Sequence, residues 1–137
     1  MNVQAGVSRR RRILVVDDIE DSRDLYAFYL DHVGYHVTVA LDGETAIGLA
    51  QQHEFDVIVM DLAMPKMNGV EATRRLKSDE RTRRIPIVVV SGHALQGLAG
   101  DARAAGADGY CMKPCSPEAL EREIERVLAA SSARRPH

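Results

Sequence analysis

The sequence predicts an α/β fold, a three-layer doubly wound sandwich around one five-stranded parallel sheet in a single domain. Short apolar segments alternate with helical segments along the chain without interruption. Two of the apolar segments, residues 57–60 and 87–90, are apolar at consecutive positions, as strands buried on both faces are. Helical connections between parallel strands are right-handed, so helices are expected to cover both faces of the sheet.

The first strand is predicted at residues 13–16, which are all apolar. Residues 19–33 are predicted to form a helix that ends at Gly34, since glycine is the residue preferred just after a helix. One face of this helix is formed by Leu25, Phe28 and Tyr29. Residues 35–40 alternate in polarity and are β-branched, which indicates the second strand.

The second helix is predicted to begin after the turn at Asp42 and to run through Gln52, before the third strand at residues 55–60. Its inward residues are Ala46, Leu49 and Ala50. The third helix follows Asn68 and ends near Lys77. Its apolar side is formed by Val70, Thr73 and Leu76.

Pro86 precedes the fourth strand, and the fourth helix is predicted at residues 95–105. The apolar positions of this helix are Leu95, Leu98, Ala102 and Ala105. It also contains Gly97 and Gly100, and each mid-helix glycine costs roughly 0.5 to 1 kcal/mol relative to alanine. We therefore expect this helix to shift easily.

The fifth strand is short, at residues 109–112, and the last helix begins at Ser116, a capping residue, with Pro117 in its first turn. We expect this helix to run through Leu128 and residues 129–137 to fray. The predicted organisation is a disordered basic arm at residues 1–11, one domain at residues 12–130 and a tail at residues 131–137.

The length of 137 residues suits one domain and leaves no room for a separate output domain. No apolar run approaches the roughly 20 residues that a membrane span needs, and residues 1–8 have no signal-peptide core. The sequence therefore predicts a cytoplasmic protein without membrane contact. Cys111 and Cys115 match neither a redox nor a zinc spacing, and we expect both to be free thiols that pack against the core.

The chain is acidic apart from a cluster of four consecutive arginines, Arg9 to Arg12. Short terminal charge runs are usually solvated, and four charges alone give weak, salt-sensitive binding to nucleic acid. We therefore expect no nucleic-acid partner, an expectation that tight, sequence-selective binding in a salt titration with duplex DNA would overturn.

Polar residues stand where the predicted strands stop. These residues are Asp17, Asp18, Asp61, Ser91 and Lys113. Because the carboxyl ends of parallel strands open into one crevice, these side chains are expected to converge. Three carboxylates, a hydroxyl and an ammonium together suit a divalent cation and a phosphoryl group.

With these motifs, about residues 11–130 resemble the receiver domain of two-component response regulators, in particular the single-domain regulators of the chemotaxis type. The motifs are Val15-Val16-Asp17-Asp18, Asp61-Leu62-Ala63-Met64-Pro65, Asn68-Gly69, Ser91-Gly92, residues 104–110 and Lys113-Pro114. The resemblance implies the flavodoxin-like strand order 2-1-3-4-5 and a cis Lys113-Pro114 bond. It also implies a stand-alone regulator in phosphorelay signalling, a phosphoacceptor domain and not an enzyme, although self-phosphorylation from small donors and self-dephosphorylation are expected.

The resemblance assigns a role to each site residue. Asp61 is implied to be the phosphoacceptor, and Mg²⁺, which Mn²⁺ could replace, is implied to bind Asp17, Asp18, Asp61 and the backbone carbonyl of Ala63. Lys113 is implied to contact Asp61 before phosphorylation and a phosphoryl oxygen afterwards. Ala63 departs from receivers that carry a polar or acidic side chain there, so it supplies no side-chain group to orient a hydrolytic water.

Ser91 and Tyr110 are implied to form a conformational switch. Ser91 would donate its hydroxyl to the phosphoryl group and vacate space for the Tyr110 ring, and the surface of the fourth helix, fifth strand and fifth helix would change. The implied partners are a histidine kinase or histidine phosphotransfer protein as donor and a downstream protein. The implied assembly is a monomer or a phosphorylation-dependent dimer.

Three alternatives belong to other classes. A phosphohydrolase of the haloacid dehalogenase type needs a second acid two residues after its nucleophile, where this chain has Ala63. A flavin or nucleotide binder needs a glycine-rich phosphate loop, and none follows a predicted strand. The third alternative is an interaction module that works without phosphorylation. It is distinguished from a receiver by whether the protein accepts a phosphoryl group.

Overall fold

The computed structural model describes residues 10–92 and 96–134. Strands and helices alternate through these residues, as predicted. The strands are β1 (Arg12–Val16), β2 (His36–Ala40), β3 (Val57–Asp61), β4 (Ile87–Ser91) and β5 (Gly109–Met112). The helices are α1 (Glu20–His32), α2 (Gly43–Gln52), α3 (Gly69–Ser78), α4 (Gln96–Ala104) and α5 (Pro117–Arg134).

The five strands form one sheet in the order β2-β1-β3-β4-β5, and every neighbouring pair is parallel. All residues of β3 and β4 are buried, because helices cover both faces of the central strands. The predicted fold class and strand order are confirmed.

Two apolar cores lie on the two faces of the sheet. On one face α1 and α5 pack against alternate strand residues such as Ile13, Val59 and Val88. On the other face α2, α3 and α4 pack against the intervening residues, such as Leu14, Ile58 and Val89. Burial of such a side chain contributes roughly 1.5–3 kcal/mol, so the two cores hold the sheet rigid beneath the loops at its carboxyl end.

Three helices begin at side-chain caps that the sequence contains. The side chains of Asp42, Asn68 and Ser116 accept hydrogen bonds from backbone N–H groups three residues later, at 2.8, 3.0 and 3.0 Å. The predicted cap at Ser116 is thereby confirmed. The Asn68 cap begins α3 directly after the loop that leaves β3, so it fixes the far end of that loop.

The packing face of α1 and the end of α5 differ from the predictions. Tyr26 and Leu30 are the buried residues of α1, whereas Leu25 and Phe28 are 53% and 75% exposed. The predicted apolar face was therefore wrong at Leu25 and Phe28, whereas Tyr29 does pack against the core. Apolar residues surround much of this helix, so spacing does not identify the side that meets the sheet. Helix α5 continues to Arg134, beyond the predicted end at Leu128.

Only the end of the predicted basic arm lies within the described residues. Residues 1–9, including Arg9, lie outside them. The Arg10 guanidinium donates hydrogen bonds to the backbone carbonyls of Gly34 and Tyr35 and forms a 3.1 Å ion pair with Asp31. The Arg10 side chain is exposed to solvent, as we predicted, and these contacts also hold it against the α1–β2 turn. None of the described helices is both long and apolar enough to cross a membrane.

Candidate functional site

The structure brings the predicted site residues together at the carboxyl end of the sheet. Asp17 and Asp18 follow β1, Asp61 and Ser91 are the last residues of β3 and β4, and Lys113 follows β5. Parallel strands end at the same edge, so residues that are up to 96 positions apart in the chain share one crevice.

The three carboxylates form a compact acidic group. Asp17, Asp18 and Asp61 each offer one oxygen, and these oxygens all lie within 4.8 Å of one another. Asp17 and Asp61 are each 3% exposed, whereas Asp18 is exposed to solvent. Asp17 Oδ1 also accepts a 2.9 Å hydrogen bond from the amide of Ile19, which orients it. Hard oxygen ligands with one side open to water are the arrangement that Mg²⁺ prefers.

Asp61 has one satisfied oxygen and one unsatisfied oxygen. Its Oδ1 accepts a 3.1 Å hydrogen bond from the amide of Ala63 and lies 3.7 Å from Lys113 Nζ. Its Oδ2 is buried and has no hydrogen-bond partner in the part of the chain that the structure describes. Burial raises the pKa of Asp61 to about 6, although the Ala63 amide and the Lys113 charge both act to lower it. A buried, unpartnered carboxylate oxygen is costly, so this atom is a candidate for binding a ligand.

Lys113 and Ser91 are joined through their backbones. The amide of Lys113 donates a 2.7 Å hydrogen bond to the carbonyl of Ser91, and the Lys113-Pro114 bond is cis, as predicted. Ser91 is fully buried, and its hydroxyl lies 3.3 Å from the carbonyl of Gly92. The backbone of Lys113, whose ammonium faces Asp61, is therefore held at the end of β4.

Tyr110, predicted as a switch residue, lies on β5 beside the strand that ends in Ser91. It pairs with Val89 in the sheet, and its half-buried ring packs against the core on the α4 side. The Tyr110 amide also donates a 3.0 Å hydrogen bond to Glu123 of α5. The predicted switch pair thus occupies neighbouring strands, with Tyr110 next to both α4 and α5.

The two cysteines form a disulfide bond, so the prediction of two free thiols was wrong. Cys111 is in β5, Cys115 precedes α5, and the bond joins them across Met112, Lys113 and Pro114. Sequence spacing predicts neither the path of the chain after β5 nor the separation of the two sulfur atoms. One feature of the sequence could have suggested that the two cysteines interact, namely that they lie on either side of a predicted site lysine, Lys113.

Sequence reasoning also missed the role of Gly69 in supporting Asp61. A Cβ atom at Gly69 would lie 2.7 Å from Leu62 Cα and closer still to the backbone carbonyl oxygen of Asp61. The Gly69 amide donates a 3.1 Å hydrogen bond to the carbonyl of Leu62, which closes the β3–α3 loop. The Asn68-Gly69 pair signals a turn, but only the tertiary structure reveals this close backbone approach.

Comparisons with known proteins agree with this geometry. Residues 13–125 match the sequence model of the response regulator receiver domain. The chain is 33% identical to the chemotaxis protein CheY of Pseudomonas aeruginosa over 118 residues, covering 85% of this chain and 95% of that protein. It is 33% identical to the polar-differentiation response regulator DivK of Brucella ovis over 117 residues, covering 85% and 93% of the two chains.

A solved structure of a receiver domain shares the fold of this chain. It is the receiver domain of a sensor histidine kinase from Pseudomonas aeruginosa PAO1, determined with a magnesium ion coordinated in its active site cleft. Its identity with this chain is 32%, its TM-score is 0.81, and the match covers 88% of this chain and 99% of that one.

Proposed function

Because the chain belongs to the response regulator receiver domain family, we propose that Asp61 accepts a phosphoryl group from a phosphohistidine. The donor is a histidine kinase or a histidine phosphotransfer protein. The observation that carries the proposal is the buried, unpartnered Oδ2 of Asp61 among two other carboxylates and an ammonium. The chain is a signalling domain in two-component signalling, and its chemistry is self-phosphorylation from small donors and self-dephosphorylation.

The acidic group fits a magnesium ion. Asp17, Asp18 and Asp61 would hold it together with the backbone carbonyl of Ala63, and the exposed side of Asp18 leaves room for water ligands. Mn²⁺ accepts the same oxygen ligands and could replace it. When bound, the ion supplies positive charge that offsets the repulsion between the carboxylates and the incoming phosphoryl group.

Asp61 and its neighbours divide the transfer between them. A carboxylate oxygen of Asp61 attacks the phosphorus atom, an oxygen–phosphorus bond forms, and the nitrogen–phosphorus bond to the donor imidazole breaks. Lys113 is 3.7 Å from Asp61 Oδ1 and moves to a phosphoryl oxygen, since its flexible stem carries a mobile charge. The Ser91 hydroxyl donates to another phosphoryl oxygen.

The output follows from the same contacts. When Ser91 turns toward the phosphoryl group it vacates space for the Tyr110 ring, which lies on the neighbouring strand and packs against the core on the α4 side. A Cβ atom added at Gly97 or Gly100 would meet nothing within 4 Å, so no close packing holds either glycine and α4 can readjust. The surface of α4, β5 and α5 then binds a downstream protein or, in a phosphorylation-dependent dimer, a second copy of this chain.

We further propose a stand-alone regulator in the cytoplasm, where ATP-dependent kinases form phosphohistidine. Its curated relatives CheY and DivK are matched over 95% and 93% of their lengths, which supports a regulator of the same stand-alone kind. The formal net charge of -2 and the carboxylates of the site favour protein partners over nucleic acid.

The test is intact-mass analysis after incubation with acetyl phosphate and Mg²⁺. We expect one phosphoryl group on the wild type and none on Asp61→Asn, because the amide cannot attack phosphorus. Asp101→Asn is the matched control, since it removes an exposed carboxylate outside the site and should keep the adduct. Chelation of Mg²⁺ should also prevent the adduct.

A folded wild type that takes neither acetyl phosphate nor beryllofluoride would contradict the proposal. The chain would then be a phosphorylation-independent interaction module on a receiver fold. An adduct that persists in Asp61→Asn would instead show that another residue is the acceptor.

A further inference from the structure

The Cys111–Cys115 disulfide encloses the site lysine. Lys113 is the middle residue of the five-residue ring that the bond closes. Its ammonium is the positive charge that lies 3.7 Å from Asp61, and its amide is tied to the carbonyl of Ser91 at 2.7 Å. The bond therefore restrains the backbone from which the ammonium reaches the phosphoacceptor.

Both ends of the ring are attached to the rigid part of the fold. Cys111 pairs with Val90 in the sheet, and the carbonyl of Cys115 accepts a 2.8 Å hydrogen bond from the hydroxyl of Tyr26 in α1. Because its ends are fixed, the ring fixes the position of Lys113 between them.

A small reductant needs access to the sulfur atoms, and neither cysteine is fully buried. Both cysteines are half-buried against the α1–α5 core, and the neighbouring Met112 is 37% exposed. Disulfides of proteins that work in a reducing compartment are usually catalytic or redox-sensing. That general pattern, together with the cytoplasmic setting proposed above, argues against a purely structural bond.

We propose that Cys111 and Cys115 form a thiol–disulfide exchange site, with a dithiol as reductant, that positions Lys113 and so makes phosphoryl transfer to Asp61 depend on redox state. A thiolate of the dithiol attacks one sulfur, the Cys111–Cys115 bond breaks, and the released thiolate takes up a proton. The second thiol of the reductant then attacks the mixed disulfide and releases the second cysteine as a thiol. The reductant leaves with an internal disulfide. Two electrons and two protons pass to the protein, and oxidised dithiol reverses the step.

We expect phosphoryl transfer to Asp61 to be faster when the Cys111–Cys115 disulfide is formed than when it is reduced. When the ring opens, the Lys113 backbone gains freedom and its ammonium spends less time beside Asp61. A misplacement of about 1 Å can cost up to about 100-fold in rate, so we expect reduction to slow adduct formation about tenfold. This effect rests on the proposed function, whereas the exchange chemistry does not.

The exchange chemistry is tested first, by alkylation and intact mass in mixtures of reduced and oxidised dithiothreitol. The chain has two cysteines, so the oxidised protein should take up no label and the reduced protein two. Two labels on protein equilibrated with oxidised dithiothreitol would overturn the proposal, because no bond would then form in solution.

The rate of adduct formation from acetyl phosphate is then compared in the two redox states. The double variant Cys111→Ser, Cys115→Ser should react at the rate of the reduced wild type and should not respond to dithiothreitol. In a Lys113→Ala background reduction should no longer change the rate of adduct formation. If reduction instead acted by loosening the whole fold, it would still slow the reaction in this variant. Equal rates for oxidised and reduced wild type, or a response that survives in Lys113→Ala, would overturn the proposal.

A readout without phosphorylation separates this inference from the proposed function. Amide hydrogen exchange at Lys113 reports the hydrogen bond to Ser91, and reduction should cause a loss of protection there. If no adduct forms in either redox state, the proposed function fails. The amide hydrogen exchange at Lys113 then decides by itself whether the disulfide positions this residue. Unchanged protection at Lys113 would then overturn it.

Discussion

Gly69→Ala is expected to lower the free energy of unfolding by about 3 kcal/mol, because the added methyl group meets the backbone of Asp61 and Leu62. The nearest atoms are Leu62 Cα at 2.7 Å and the carbonyl oxygen of Asp61, and neither can rotate away as a side chain could. The β3–α3 loop must therefore move, and the backbone of the phosphoacceptor must move with it. Urea unfolding followed by circular dichroism measures the loss.

The matched control is Gly48→Ala in α2. A Cβ at Gly48 would meet nothing within 4 Å, so the same substitution there should stabilise the protein by about 0.5–1 kcal/mol. Gly69→Ala should also slow adduct formation from acetyl phosphate, whereas Gly48→Ala should leave the rate unchanged. If both variants have wild-type stability, the close approach at Gly69 does not limit the fold.

Asp61→Asn is expected to stabilise the protein above about pH 7 without Mg²⁺ by about 2 kcal/mol. The pKa of Asp61 is raised from 3.8 to about 6 by burial. That shift corresponds to about 3 kcal/mol for a dry site, and screening by water at the open edge reduces it. Asparagine keeps the oxygen that accepts from the Ala63 amide and removes the buried charge.

The pH dependence has a definite sign. Between pH 3.8 and about 6 the folded protein holds a proton on Asp61 that the unfolded chain has released. Stability from this group is therefore complete below the lower value, falls as pH rises through this window and is level above it. Asp61→Asn should lack this fall, and the difference between the two proteins should vanish at the acidic end.

Other carboxylates shift in the opposite direction, so the wild-type curve alone does not isolate Asp61. Hydrogen bonds from the Arg81 side chain first, and then from its amide, lower the pKa of Asp79 to about 2. The comparison of urea midpoints for wild type and Asp61→Asn across the window cancels such groups. Mg²⁺ at about 100 times its dissociation constant should restore about 2.7 kcal/mol to the wild type and much less to the variant. Parallel curves for the two proteins would contradict a buried, ionised Asp61.

Much of the fold is readable from local sequence. The apolar runs before Asp61 and Ser91 indicate buried parallel strands, and the caps at Asn68 and Ser116 mark where helices begin. These signals are local, since they depend on the period of hydrophobicity and on backbone groups within one turn of the chain. The convergence of Asp17, Asp61 and Lys113 followed from topology, because every parallel strand ends at the same edge.

The sequence by itself determined the fold class, the edge at which the site lies and the residues that meet there. Only the tertiary structure decided that Tyr26 and Leu30 face the sheet, that Cys111 bonds Cys115, and that Gly69 lies against the backbone of Asp61. The reason is physical: spacing records the order of residues along one element. The side of a helix that is buried, and the atoms that come within bonding or contact distance, depend on how separate elements pack together.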